Sequence, residues 1–233
     1  MRRVTTPPRL VLTDIEGTTT AISFVHQVLF PFAAEALDGY LAANPAEAAP
    51  ILAEVSAMEP GRPPAETLRA WMAADAKVTP LKTLQGLIWR QGYQDRRLKG
   101  HLWPDVADAL RGWHAGGLEL AVYSSGSEEA QRLIFGHSVA GDLVPLFRGF
   151  FDTRMGGKRE APSYTAIAEA LGLFPGDILF LSDVGLELDA AQSAGMRTCQ
   201  LVRPEDKTVA VAGHPEARDF VQVTTLFGLP SGG

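Results

Sequence analysis

The sequence predicts an α/β fold: a Rossmann-like parallel sheet flanked by helices and interrupted once by an all-helical insertion. Three observations carry this. Short apolar runs that close abruptly on polar residues recur at Arg9–Thr13, Leu118–Tyr123 and Ile178–Leu181; such runs read as strands buried on both faces. Each is followed by a helical pattern, and regular alternation implies parallel strands joined by helical crossovers. From Pro45 to Lys99 no strand pattern occurs at all. The expected division is therefore a core of residues 1–20 and 100–233 with an insertion over 21–99.

In order along the chain, the first strand ends in Asp14 and Glu16 and a turn, Gly17-Thr-Thr-Thr20. Spacing of Phe24, Val28, Phe32, Ala36 and Tyr40 predicts a helix over 23–43, kinked at Pro31. Helices are expected over 45–57, 64–76 and 80–98, with Glu59-Pro-Gly-Arg-Pro-Pro64 breaking the first from the second. Pro104 opens a helix reaching His114, stopped by Gly116-Gly117. After the strand 118–123, Ser127 suits the N-cap of a helix over 128–135. Phe147–Phe151 reads as a short strand, and 162–171 as a helix. The strand at 178–181 runs into Ser182-Asp183 and a helix over 186–194, and Arg197–Val202 closes the sheet. The tail Pro230-Ser-Gly-Gly is expected to be disordered.

Bulk properties narrow the function. The 233 residues are 46% apolar and 21% charged, ordinary globular composition with a formal net charge of -6. That charge argues against a nucleic-acid or anionic-membrane partner, because phosphate backbones recruit basic surfaces. The single cysteine, Cys199, cannot form an internal disulfide and sits in an apolar run, which predicts a buried thiol. The first residues, Met-Arg-Arg-Val-Thr-Thr-Pro-Pro, lack the apolar stretch of a secretory signal. A soluble, cytoplasmic protein is expected.

In an open parallel sheet the C-terminal strand ends share one rim, where ligands bind. The sequence places Asp14, Glu16, Ser124, Lys158 and Asp183 there. Asp14 and Glu16 are two apart, so an extended backbone sends both to one side, with Gly17 freeing a sharp turn beneath. Carboxylates so close need a proton or a cation, and oxygen-only ligands select Mg²⁺. Turn chemistry alone accounts equally well for an Asp followed by Gly and Thr. The hydroxyls and N–H groups of Ser124 and Ser125 suit a phosphoryl oxygen. Asp183 ends an apolar strand, whereas Glu187 and Asp189 fit the positive start of the next helix. Together the rim offers a nucleophile, an acid/base, phosphate holders and a metal anchor, the set phosphoryl transfer requires. A P-loop is excluded because Arg159 and Asp152 stand where Ser/Thr and the first Gly belong; no Gly-x-Ser-x-Gly, His-Glu-x-x-His or Cys/His metal spacing occurs. The five histidines are scattered and read as surface or satisfied core residues.

These residues, in this order and on these elements, resemble the four motifs of the haloacid dehalogenase superfamily of phosphatases, with Glu16 replacing the second Asp of Asp-x-Asp. Asp14-Ile-Glu-Gly-Thr-Thr-Thr20 is similar more narrowly to the enolase-phosphatase (acireductone synthase) family of methionine salvage. So are Leu81-Lys-Thr-Leu-Gln-Gly-Leu-Ile-Trp89, Tyr123-Ser-Ser-Gly-Ser127, Leu133-Ile-Phe-Gly-His-Ser138, Phe151-Asp152 and Leu179-Phe-Leu-Ser-Asp183. The similarity spans nearly the whole chain and is weakest from Asn44 to Met58. It implies enolisation and then dephosphorylation of 2,3-diketo-5-methylthiopentyl-1-phosphate, with one Mg²⁺ per subunit. It also implies Asp14 as nucleophile and metal ligand, Glu16 as acid/base and metal contact through its carbonyl, and Asp183 as metal ligand. Ser124, Ser125 and Lys158 become substrate and phosphate holders, residues 21–99 a cap, and the protein a monomer. The motifs alone equally permit a phosphatase for another small phosphomonoester. Gln85, Trp89 and Tyr93 share a helical face, a stripe that predicts packing within the insertion.

Overall fold

β1 (Leu10–Thr13) is buried at every residue and lies inside a six-stranded sheet of order β3-β2-β1-β4-β5-β6. The computed structural model describes residues 7–231 apart from Asp75 and Lys77, so the first six residues, part of the sequence reading, lie outside the described residues. By internal contacts the chain forms two units, Met1–Ile22 with Gly100–Gly233, and Ser23–Lys99.

The second unit is helical. After a single turn, α1 (Ile22–Phe24), a π-helical stretch at Val25–Leu29 leads into α2 (Phe30–Ala43). Just ahead of Pro31, where a kink is expected, the Phe30 N–H reaches the Val25 carbonyl five residues back. Proline has no N–H to give the carbonyl four residues before it, and the helix widens ahead of it. Then come α3 (Pro45–Met58), α4 (Pro64–Ala73) and α5 (Thr79–Gln94). The last two stop short of 76 and 98; Arg96 adopts a left-handed φ of 60° just beyond α5. Leu37, Val55, Leu68, Leu81, Leu84 and Ile88 form this unit's core. Trp89 donates its indole N–H to the Leu29 carbonyl at 2.8 Å and stacks on Phe30, so it packs within the unit.

In the first unit the chain resumes with α6 (Val106–Ala115), β2 (Glu119–Tyr123), α7 (Glu128–Gly136), β3 (Gly149–Phe151), α8 (Ala161–Leu171), β4 (Ile178–Ser182), α9 (Gly185–Ser193) and β5 (Arg197–Leu201). All strands pair in parallel, Leu12 facing Ala121 on one side and Phe180 on the other. Leu10, Leu12, Ile178 and Phe180 pack under Tyr164, Ile167 and Leu171 of α8 and Leu188 and Ala191 of α9. Each such side chain contributes about 1.5–3 kcal/mol by leaving water. Ser127 caps α7, accepting the Ala130 N–H at 3.3 Å.

Four expectations need correcting. β5 does not close the sheet, because β6 (Glu216–Ala217) pairs beyond it and α10 (Phe220–Phe227) follows. A two-residue strand has no periodicity to detect. α6 starts at Val106 rather than Pro104, and the Asp105 carboxylate just before it does not cap the helix but is engaged with Arg203 and the Phe220 N–H. Only Gly149–Phe151 of 147–151 is strand, after a 3₁₀ turn at Val144–Leu146. In the tail, Pro230 lies against Gly116, while Gly232 and Gly233 fall outside the described residues.

Candidate active site

The strand order places β1 where the chain switches direction, with β2 and β3 to one side and β4 to β6 to the other. Such a switch point opens a crevice at the C-terminal strand ends. Asp14 is the first residue past β1 and still donates its N–H to the Leu181 carbonyl at 2.9 Å. The chain then coils tightly. The Ile15 carbonyl accepts the N–H groups of Thr18, Thr19 and Thr20 at 3.2, 3.0 and 2.9 Å. Gly17 adopts φ +72°, and a Cβ there would lie 2.4 Å from Asp183 Oδ2. Only glycine allows both that φ and the Asp183 carboxylate directly above it.

Asp14 is 5% exposed and its Oδ1 accepts the Ile15 N–H and the Lys158 ammonium, each at 2.7 Å. Lys158 is also buried, and its Nζ reaches Glu187 Oε2 at 2.7 Å. Glu187 in turn accepts the Ser182 hydroxyl at 2.9 Å. The lysine's backbone is fixed from three sides. Tyr164 donates to the Lys158 carbonyl at 2.7 Å, Ser163 to that of Gly157 at 2.8 Å, and Tyr123 to that of Gly156 at 3.0 Å. At the end of β2, Ser124 is buried, donates its N–H to the Phe151 carbonyl at 3.1 Å and accepts the Gly126 N–H at 3.3 Å. Ser125 is exposed in the same loop.

Burial, then the neighbouring charges of Asp14 and Glu187, push the Asp183 carboxyl up to about 7. Glu187 is also raised, by burial first and Asp14 second, against the pull of Lys158 and Ser182. For Lys158, burial disfavours the ammonium but Asp14 and Glu187 outweigh it, and the net shift is upward. Three carboxylates thus crowd one buried ammonium. β1 ends at Thr13, so Glu16 lies in the turn rather than on an extended strand; it is exposed where Asp14 is buried, and it is bridged to Thr20.

As a sequence, Glu187 fits the helix start by itself; the signal for more was its nearness to the strand-end acid Asp183, two residues before α9. Asp189 points elsewhere, pairing with the buried His214, whose other ring nitrogen meets Thr198 Oγ1 at 2.9 Å. That histidine is a satisfied core residue.

The donors fit a hard divalent cation. Asp14 and Asp183 offer carboxylate oxygens close enough for the Asp14 charge to raise the Asp183 carboxyl, and the excess negative charge favours a cation. Among the described residues no three His, Cys, Asp or Glu side chains form a ready cage. Two carboxylates with a backbone carbonyl suit an ion that keeps several waters.

The profile of haloacid dehalogenase-like hydrolases matches residues 8–195. Enolase-phosphatase E1 of Granulibacter bethesdensis is 58% identical over 96% of this chain and 98% of its own. The chain belongs to the haloacid dehalogenase-like hydrolases, in their enolase-phosphatase branch. Enolase-phosphatase E1 of Acidiphilium cryptum is 56% identical over 97% of this chain and 99% of its own. Among solved structures, the UTR4 protein of Saccharomyces cerevisiae aligns with a TM-score of 0.79 at 30% identity, covering 91% of this chain and 98% of that one. Bacillus subtilis YfnB shares the fold, with a TM-score of 0.63 at 14% identity over 96% of this chain and all of its own.

Proposed function

We propose that this hydrolase is a Mg²⁺-dependent enolase-phosphatase that converts 2,3-diketo-5-methylthiopentyl-1-phosphate to the acireductone and inorganic phosphate, a step of methionine salvage. The observation that supports it most is Lys158, buried between Asp14 and Glu187 at the end of β1. An ammonium so held neutralises charge on a phosphoryl group while leaving Asp14 aligned to attack it.

In this reading a proton is first removed from the carbon that bears the phosphate ester and one is gained by the neighbouring carbonyl oxygen, which gives the enol phosphate. An Asp14 carboxylate oxygen then attacks phosphorus in line. The bond from phosphorus to the enol oxygen breaks, and Glu16 supplies that oxygen with a proton. Water, deprotonated by Glu16, attacks the aspartyl phosphate, releasing inorganic phosphate and restoring Asp14. Ser124 and Ser125 hold phosphoryl oxygens throughout. When bound, Mg²⁺ held by Asp14, Asp183 and the Glu16 carbonyl would neutralise phosphate charge and polarise a substrate oxygen. Glu187 keeps the Lys158 ammonium in place.

The helical unit is read as the cap domain and the carrier of selectivity for the methylthio chain, and the protein as a cytoplasmic monomer. Among the described residues no helix is long and apolar enough to cross a membrane.

The test is anaerobic incubation with the diketone phosphate and Mg²⁺, following the ultraviolet absorbance of enol products and released phosphate together. Enol absorbance with stoichiometric phosphate is expected. Phosphate release from generic monoesters but none from the diketone phosphate would overturn the substrate assignment.

A further inference from the structure

Arg203, two residues past β5, is a buried charge that the reaction above does not use. Its guanidinium donates to both carboxylate oxygens of Asp105, from Nη1 at 2.8 Å and from Nη2 at 2.9 Å. The same two nitrogens reach two backbone carbonyls, Arg218 at 3.1 Å and Thr18 at 3.0 Å. The rings of Trp103 and Phe220 lie 5.3 and 5.8 Å from the guanidinium carbon. Asp105 is itself fixed, accepting the Phe220 N–H at 2.8 Å.

A buried ion pair is weak evidence of stabilisation, because desolvating two charges offsets most of their attraction. Apolar residues could fill this space equally well. They could not supply a donor to Thr18. That carbonyl belongs to the coil that carries Glu16, begins beside Asp14 and seats Gly17 under Asp183. The Trp103 N–H also reaches the Thr19 carbonyl at 3.0 Å and the Thr20 hydroxyl the His101 carbonyl at 2.7 Å; just past the coil the Ala21 N–H meets His101 Nδ1 at 3.2 Å and the Ile22 N–H meets the Asp206 carboxylate at 3.0 Å. The Arg203 bond differs in being a charged donor to a carbonyl within the coil itself, and its planar fork lets it hold Asp105 and Thr18 at once.

We propose that Arg203, braced by Asp105, is a positioning residue for the reaction, fixing through the Thr18 carbonyl the turn that presents Asp14 and Glu16 to the substrate. The proposal rests on the reading of Asp14 and Glu16 as reacting groups. Loosening this bond lets the coil shift relative to Asp183, and misplacement of reacting atoms by about 1 Å can cost about a hundredfold in rate.

The full-length protein is compared with its R203K and T224V variants. R203K retains the charge but replaces the fork with a single point; it is preferred to R203M, which risks not folding. T224V removes the hydroxyl that accepts the Trp113 indole N–H at 2.8 Å, on α10 and away from the coil, and serves as a control for lost stability alone. Three quantities are read: melting temperature, amide hydrogen exchange at Thr18–Thr20 without substrate, and kcat and KM with the diketone phosphate. In R203K we expect faster exchange at those amides and a kcat lower by about ten- to a hundredfold, with KM within about threefold. In T224V the melting temperature falls while exchange at the coil and kcat stay at parent values. If R203K loses stability but keeps parental exchange and kcat, or only KM rises, Arg203 is structural and the proposal fails. If the parent protein releases no phosphate from the diketone phosphate, the substrate reading fails, while the exchange comparison still decides the role of Arg203 in holding the coil.

Discussion

Gly17 offers the sharpest separation of stability from function, because substitution there has two costs of different kinds. Its φ of +72° strains any residue with a Cβ, by about 1–2 kcal/mol. Gly172, which ends α8, has nearly the same φ, +64°, but nothing lies within 4 Å of where its Cβ would be. At Gly17 the added carbon would stand 2.4 Å from Asp183 Oδ2, whereas ordinary contact begins at 3.4 Å. The Asp183 carboxylate or the coil must therefore yield by about 1 Å, a displacement that can cost about a hundredfold in rate. Gly172→Ala should thus lose on the order of 1 kcal/mol in urea unfolding from backbone strain alone, and Gly17→Ala at least as much. Only Gly17→Ala should lose phosphate release, by roughly a hundredfold. Equal activities in the two variants would refute the argument that Gly17 exists to seat Asp183.

Further outcomes follow from the crowded charges. The Asp183 carboxyl is raised from 3.8 to about 7, so between those values the folded protein binds more protons than the unfolded chain. Its stabilising contribution is complete below about pH 4 and is lost as pH rises toward 7. In EDTA, Asp183→Asn should therefore be more stable than the parent at pH 8, by on the order of 2 kcal/mol, with the difference vanishing near pH 4. A parent at least as stable as the variant at pH 8 would contradict this. Lys158→Met leaves Asp14 and Glu187 buried without their ammonium and should cost about 3–5 kcal/mol at pH 8 in urea unfolding, less at pH 5 where Glu187, already raised by burial, takes up a proton. Its kcat for phosphate release should fall at least about a hundredfold. Tyr164→Phe removes only the hydrogen bond to the Lys158 carbonyl, so a loss of about 1 kcal/mol in unfolding is expected, with the fold unchanged by circular dichroism.

Much of the sheet was legible because β1, β2 and β4 are continuous apolar runs that end on polar residues, and burial on both faces requires that pattern. The Ser127 cap was legible because its chemistry is local. β6 was not, because two residues hydrogen-bonded to β5 leave no pattern in the chain. The turn carrying Glu16 was not legible from strand periodicity, because past Thr13 the Ile15 carbonyl gathers three amides and coils the backbone. Glu187 was missed because an acid in the first turn of a helix already has a local reason to be there. Its contact with Lys158 comes from two segments meeting across the sheet end, which no local pattern encodes.

Attack of Asp14 on phosphorus is read out by rapid acid quench during turnover followed by mass spectrometry of the peptide containing Asp14. A phosphoryl group on that residue is predicted, formed as fast as turnover and absent from Asp14→Asn, which should be inactive while folded. A peptide that never carries phosphate, together with phosphate release by Asp14→Asn at the parental rate, would contradict it.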